Sequence, residues 1–169
     1  ATGVRFSYGL QKGSNLDPFF NFGQRMNIHW HPYLVHFPIA LTLTAFGFYV
    51  IFIFTKKAEF HLFSIYSLAI SIITAFFAGI SGEKAVVLQS ITNPDILRII
   101  QQHETFANIS IWGSILVMIL WIFGIKKFTI ESSLKWIILV LLTGLVVSVL
   151  ITGQFGGRLV YIHGVGVLQ

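Results

Sequence analysis

The sequence contains no cysteine and very little charge. Only 10% of its 169 residues are Asp, Glu, Lys or Arg, whereas a soluble domain has roughly 25%. So few charged side chains do not cover the surface of a water-soluble globule, and most of the surface is therefore expected to face lipid. The absence of cysteine excludes disulfides, iron–sulfur clusters, zinc–thiolate sites and haem attached through thioethers.

The hydrophobic residues make up 55% of the chain and are concentrated in four long runs. A helix needs about 20 apolar residues to cross a hydrocarbon core of roughly 30 Å. The runs predict helices over about 33–54, 62–80, 97–125 and 134–152. Lipid cannot satisfy free backbone N–H or C=O groups, so helices are expected. The predicted fold is an all-α integral membrane protein, a four-transmembrane-helix bundle that runs up-down-up-down.

Residues 1–30 differ from the rest of the chain. Four glycines and the turn signal Asp17-Pro18 interrupt any helix there, so we expect an extramembrane arm that rests at the lipid interface or docks a partner subunit. A membrane domain follows over 31–169 and ends in a Gly-rich tail. No signal peptide is visible, because no apolar h-region follows a basic start. Since the chain begins at Ala1 and not at Met, we expect either that a segment has been removed or that the sequence is incomplete. No internal repeat is evident.

The basic residues lie mostly at the ends of the apolar runs. The connections between helices one and two and between helices three and four hold five lysines: Lys56, Lys57, Lys126, Lys127 and Lys135. The positive-inside rule places these connections in the cytoplasm and the termini on the opposite side. Although the net charge is +5, the charges do not form one exposed basic face, and no nucleic-acid partner is expected.

Five of the six histidines fall at the end of the bundle that holds the N-terminus: His29, His31, His36, His103 and His163. They come from three regions far apart in sequence: the start of helix one, the start of helix three and the segment after helix four. The sixth, His61, lies at the other end beside Lys57 and Glu59, and it is expected to be a solvated loop residue.

A cluster of imidazoles at one end of a bundle suits haem, whose iron readily takes axial histidine. Small residues follow His36 and His103 on the same helix face, as a flat macrocycle near the backbone would require. We predict His36 and His103 as axial ligands of one haem b. His163 and His31 would ligate a second haem or replace one of the first pair. The small-residue faces alone favour ordinary helix packing in membranes, and the clustering of the imidazoles is what indicates a cofactor.

Several polar residues lie near the same end. Glu83, Glu104 and Asn108 are predicted to support the ligands, since a carboxylate can accept the free N–H of a ligating imidazole. Arg158 could pair with a haem propionate or with one of these glutamates. A non-haem copper or zinc site built from the same histidines is an alternative, although no H-E-x-x-H motif is present.

Four stretches of the chain resemble the signatures of a large family of bacterial membrane proteins of unknown function. The first and last are the most specific, and the resemblance covers about residues 27–168. The stretches are HPYLVHFPIAL at 31–41, GISGEKA at 79–85, HE-x-x-AN at 103–108 and GG-x-LVY-x-HG-x-GV at 156–167. The resemblance implies a four-helix protein of the bacterial inner membrane, multi-pass, with periplasmic termini. Some members of the family occur beside or fused to redox modules such as Rieske-type domains, which implies electron transfer.

The sequence therefore predicts a b-type cytochrome subunit that passes electrons between a periplasmic redox partner and the membrane. Its expected partners are membrane lipid and other subunits of a redox complex, with quinone a further candidate. A haem-free structural or assembly subunit is the alternative, and a non-haem metal-binding membrane protein is the third. No catalytic residues are evident in any of these.

Overall fold

Four long helices make up the part of the chain that the structure describes. A computed structural model describes residues 30–89, 91–124 and 133–165. The helices are α1 (His36–Thr55), α2 (Ala58–Gln89), α3 (Pro94–Gly124) and α4 (Leu134–Tyr161). Each belongs to a segment long and apolar enough to cross a membrane. The predicted all-α, four-span fold is confirmed, while the arm over 1–29 and the end of the tail over 166–169 lie outside the described residues.

The first span begins before α1. Residues from Trp30 to Leu34 form a helical turn, and Val35 lies in a turn that separates it from α1. Pro38 has no backbone N–H and therefore cannot bond to the carbonyl of Leu34, which weakens the helix at this point. His31 consequently lies in the turn that precedes α1.

Two helices extend beyond the ranges expected from hydropathy. α2 continues past Ile80 to Gln89, and α4 continues past Thr152 to Tyr161. Both extensions pass through glycines that hydropathy suggests as helix ends. A glycine costs a helix only about 1 kcal/mol relative to alanine, and packing against the neighbouring helix outweighs that cost. The extensions carry α2 and α4 past the two histidines, whose rings lie against Gly82 and Gly156.

Contacts at both ends of the bundle establish the antiparallel order. At one end, a ring nitrogen of His31 lies against the second half of α2, and a ring nitrogen of His103 lies against the second half of α4. At the other end, the Tyr49 hydroxyl donates to the Lys135 carbonyl, joining the end of α1 to the start of α4. The helices pack most closely as two hairpins, α1 with α2 and α3 with α4. α1 and α3 therefore lie diagonally across the bundle.

The half of the bundle that holds Tyr49 and Lys135 is filled by large side chains. Tyr49 and Trp121 are fully buried there and meet edge to face with ring centroids 5.1 Å apart. The buried cluster consists of Ala45, Tyr49, Phe52, Leu68, Val117, Trp121, Ile138, Leu142 and Leu145. Close packing of this kind holds helices together in lipid, where burial of apolar surface provides little driving force.

Truncation of Trp121 is expected to be the most damaging change in this cluster. Trp121→Ala would leave a cavity and remove the hydrogen bond from the indole Nε1 to His61 Nε2, 2.7 Å long. We expect the free energy of unfolding in mixed micelles to fall by about 3–5 kcal/mol. Trp112 on the same helix is the matched control, because it is 68% exposed toward lipid. Equal losses for Trp112→Ala and Trp121→Ala would contradict the assignment.

Candidate cofactor site

A cavity of about 420 Å³ occupies the histidine end of the bundle, between the two hairpins. Eight of the residues that line it are glycine or alanine: Ala75, Ala78, Gly79, Gly82, Ala107, Gly153, Gly156 and Gly157. It reaches from His31 down to Thr42, roughly 16 Å at 1.5 Å per helical residue. This volume is within the range of about 300–1,000 Å³ that is typical of ligand pockets.

His31 is held against α2 by its ring nitrogen Nδ1. This atom lies 3.0 Å from the Ala78 carbonyl oxygen and 3.0 Å from the Ser81 hydroxyl. A carbonyl oxygen can only accept, so Nδ1 carries the proton and donates it. In the neutral ring, Nε2 then keeps its lone pair, which is the form that ligates a metal.

His103 is held against α4 in the same way. Its Nδ1 lies 3.0 Å from the Thr152 carbonyl oxygen and must therefore be the donor. Its Nε2 likewise keeps its lone pair in the neutral ring. Among the described residues, no hydrogen bond reaches Nε2 of His31 or of His103. Two half-buried imidazoles thus each keep one basic nitrogen for another partner.

The two imidazoles come from the first and third membrane spans and approach each other at the cavity. Their ring centroids are 6.3 Å apart, and their planes are at 90° to each other. Two imidazoles that ligate one metal from opposite sides, with metal–nitrogen bonds of about 2.0 Å, have centroids roughly 6 Å apart. The separation of His31 and His103 is therefore compatible with a single metal ion between them.

The two hairpins share a similar pattern of contacts. In each, an imidazole of the first helical segment donates to a carbonyl of the second helix, and a glycine four residues further on lies against the ring. These glycines are Gly82 and Gly156. Deeper in the cavity, each hairpin also has a pair of hydroxyls: Thr42 with Ser71 at 2.8 Å, and Ser110 with Ser148 at 2.9 Å. The structure thus shows an internal similarity that is not evident in the sequence.

The other predicted site residues lie at different places. His36, Glu83, Glu104 and Asn108 line the same cavity but are exposed, and His36 donates from Nδ1 to the Pro32 carbonyl at 2.6 Å. Neither Arg158 nor His163 lines the cavity: Arg158 is exposed near the end of α4, and His163 is half-buried beyond it. His29 lies outside the described residues. The structure brings the rings of His31 and His103 to a centroid distance of 6.3 Å. The pairing of His36 with His103 stays a prediction, since both residues line the cavity.

The expectation for His61 is wrong. It lies within α2, is partly buried, and accepts a hydrogen bond from the Trp121 indole. Its ring also packs against Phe52 at a centroid distance of 4.8 Å. The adjacent charges of Lys57 and Glu59 suggest a solvated position, but a helix places neighbouring residues on different faces. His61 is part of the packed core at the cytoplasmic end predicted from the lysines.

The groups that orient the two imidazoles could not be found as site residues from the sequence. Ala78 and Thr152 accept the hydrogen bonds with their backbone carbonyls. Gly82 and Gly156 have no side chain, which leaves room for the two rings. None of these is a residue type associated with metal chemistry. The one available signal is that both glycines lie in stretches that resemble family signatures.

The fold and the cavity define a four-span membrane protein with two histidine rings close together inside the bundle, their centroids 6.3 Å apart. A family model described as a predicted membrane protein (DUF2231) matches residues 27–169, and the chain belongs to this family. The resemblance inferred from the four sequence stretches is thereby confirmed. No match was found among curated proteins or among solved structures.

Proposed function

We propose that this protein is a b-type cytochrome subunit that holds one haem between His31 and His103. The observation that carries the proposal is the imidazole pair itself. Two histidines from diagonal helices face one cavity, and each donates Nδ1–H to a helix carbonyl. This arrangement leaves the basic nitrogen Nε2 available on both rings, as axial ligation requires.

The cavity suits a flat macrocycle better than a small metal complex. It extends along the helices between the hairpins, and its small residues let a planar group approach the backbone on both sides. Among the described residues, no group of three or more His, Asp or Glu side chains comes together. Two imidazoles suffice for haem, because the porphyrin supplies the other four nitrogens, whereas a zinc site needs three or four protein ligands.

The remaining polar residues have supporting roles in this proposal. Glu83, Glu104 and Asn108 line the cavity and can accept or donate hydrogen bonds at its rim. Arg158 is near the same end of the bundle and could pair with a propionate of the bound haem. His36 and His163 remain the candidates for replacing one ligand of the pair or for holding a second haem.

Haem iron would supply one-electron redox chemistry, and the chain would position it near one membrane surface. Lys56, Lys57 and Lys135 lie at the opposite end, which supports a cytoplasmic location for that end. We therefore propose a bacterial inner-membrane protein whose histidine end and termini face the periplasm. Its partners would be a periplasmic redox protein and other subunits of a complex, with quinone as a further candidate.

An absorption spectrum of the purified native protein in detergent tests this function. We expect a Soret band that shifts on reduction, and about one haem b per chain by pyridine haemochrome assay. Elemental analysis should find iron in the same proportion. A chain with no porphyrin spectrum would overturn the proposal, in favour of a metal site if another metal is found and of a structural subunit if none is.

A further inference from the structure

We infer that Gly82 and Gly156 are positioning residues that hold the His31 and His103 rings with their planes crossed at a right angle. The inference rests on the proposed function and specifies its ligand geometry. A Cβ built on Gly82 would lie 2.8 Å from Cε1 of His31, and one built on Gly156 would lie 3.1 Å from Cε1 of His103. Each imidazole therefore occupies the space where a side chain would otherwise be.

The carbonyl and the glycine act together on each ring. The hydrogen bond from Nδ1 to Ala78 or to Thr152 fixes one edge of the imidazole. The glycine one helical turn further on lets that edge lie directly on the helix backbone. With two contacts per ring, the plane of each imidazole is set by its own hairpin. The angle of 90° between the planes then follows from how the two hairpins face each other.

Crossed planes have an electronic consequence for a haem iron. Each imidazole π system interacts with the iron d orbital perpendicular to its own plane. Parallel rings act on the same orbital and separate the two dπ levels, whereas crossed rings act on one level each and leave them nearly equal in energy. Near-degenerate levels retain orbital angular momentum, which moves the low-field EPR resonance of the ferric low-spin state to a large g value. Axial-ligand arrangement is one of the means by which a protein tunes haem.

EPR of the oxidised native protein tests the angle directly. We expect a low-spin signal dominated by a single large-g feature at low field. A rhombic three-line signal of the kind that parallel imidazoles produce would overturn the inference, while leaving the haem and the proposed function in place. A protein without a porphyrin spectrum would overturn both.

Alanine variants test the role of the two glycines. Gly82→Ala is expected to displace the His31 ring. Haem per protein should fall by about tenfold or more, since groups that orient a ligand contribute roughly 10–100-fold to metal affinity. Any haem that is retained should lose the large-g signal. Gly156→Ala should have a smaller effect of the same kind, because its contact is looser by 0.3 Å (3.1 Å against 2.8 Å).

Three further glycines are controls for the substitution itself. A Cβ on Gly47 or Gly144 would meet nothing within 4 Å, and one on Gly113 would clash with Leu145 at 2.8 Å, away from the cavity. Gly47→Ala and Gly144→Ala should keep the native haem content and EPR signal. Gly113→Ala introduces a helix-packing clash without displacing either imidazole, and it therefore separates the effect of a clash from that of ring displacement. If Gly82→Ala also kept both properties, or if Gly113→Ala lost them equally, the positioning role would be wrong. The native EPR signal tests the inference even if a variant does not fold.

Discussion

Replacing His31 or His103 by alanine is expected to abolish the haem spectrum. Each substitution removes one of the two proposed ligands, and the remaining ring supplies only one axial nitrogen. Haem per protein should fall by more than about tenfold, since the loss of groups that merely orient a ligand already costs roughly 10–100-fold in affinity. The measurement is the ratio of Soret to protein absorbance after purification with added haem.

His36→Ala and His163→Ala are the matched variants for this experiment. Both residues are candidate ligands, but His36 is exposed with Nδ1 donating to Pro32, and His163 lies outside the cavity. We expect both variants to keep the spectrum. Loss of haem in His36→Ala with retention in His31→Ala would instead support the pairing of His36 with His103.

If free imidazole restores the haem spectrum of a histidine variant, that variant has lost a ligand and has kept its fold. His103→Gly should open space beside Gly156, into which added imidazole can enter and ligate the iron. We expect millimolar imidazole to restore a low-spin spectrum in this variant and to leave the native spectrum unchanged. A variant that stays haem-free in imidazole while remaining folded would count against His103 as a ligand.

Filling the cavity should prevent haem binding while leaving both histidines in place. Ala75 is half-buried and lines the cavity on α2, one turn before Gly79. In Ala75→Phe the new ring would occupy the space between the hairpins, and we expect haem content to fall by more than about tenfold. The folded bundle should persist, because overpacking an interior costs about 1–3 kcal/mol and an open cavity reduces that cost.

Ala40→Phe is the control for this variant. Ala40 is exposed on α1 and does not line the cavity, so the same substitution there should place the ring in lipid and leave haem content unchanged. Haem content and thermal unfolding are measured on both variants in the same detergent. Full haem occupancy in Ala75→Phe would show that the cavity is not where haem binds.

The number and position of the membrane spans could be predicted from the sequence because hydropathy is a local property. The apolar runs give six of the eight helix ends to within four residues, including the end of α1 beside Lys56-Lys57. The largest differences are at the ends of α2 and α4, where the helices continue through glycines. Helix–helix packing determines these ends, and a single run of residues does not contain that information.

The histidines lie at one end of the bundle because of their positions in the sequence relative to the four spans. With four antiparallel spans, His31 and His103 must both lie near the end at which α1 and α3 begin, whatever their detailed packing. The same reasoning places His36 there, and it therefore cannot choose between His31 and His36. The sequence-based preference for His36 followed from its position on a face of small residues, which packing alone also produces.

By itself, the sequence determined that the chain enters lipid as four helices and that its histidines share one end, because transfer of a segment into lipid depends on that segment's own composition. Only the tertiary structure decided which imidazoles face each other, which carbonyls they donate to and which half of the bundle stays open. Those features depend on the rotation and axial offset of each helix against its neighbours. Side chains distant in sequence set both of these when they pack, as Tyr49 and Trp121 do below the cavity.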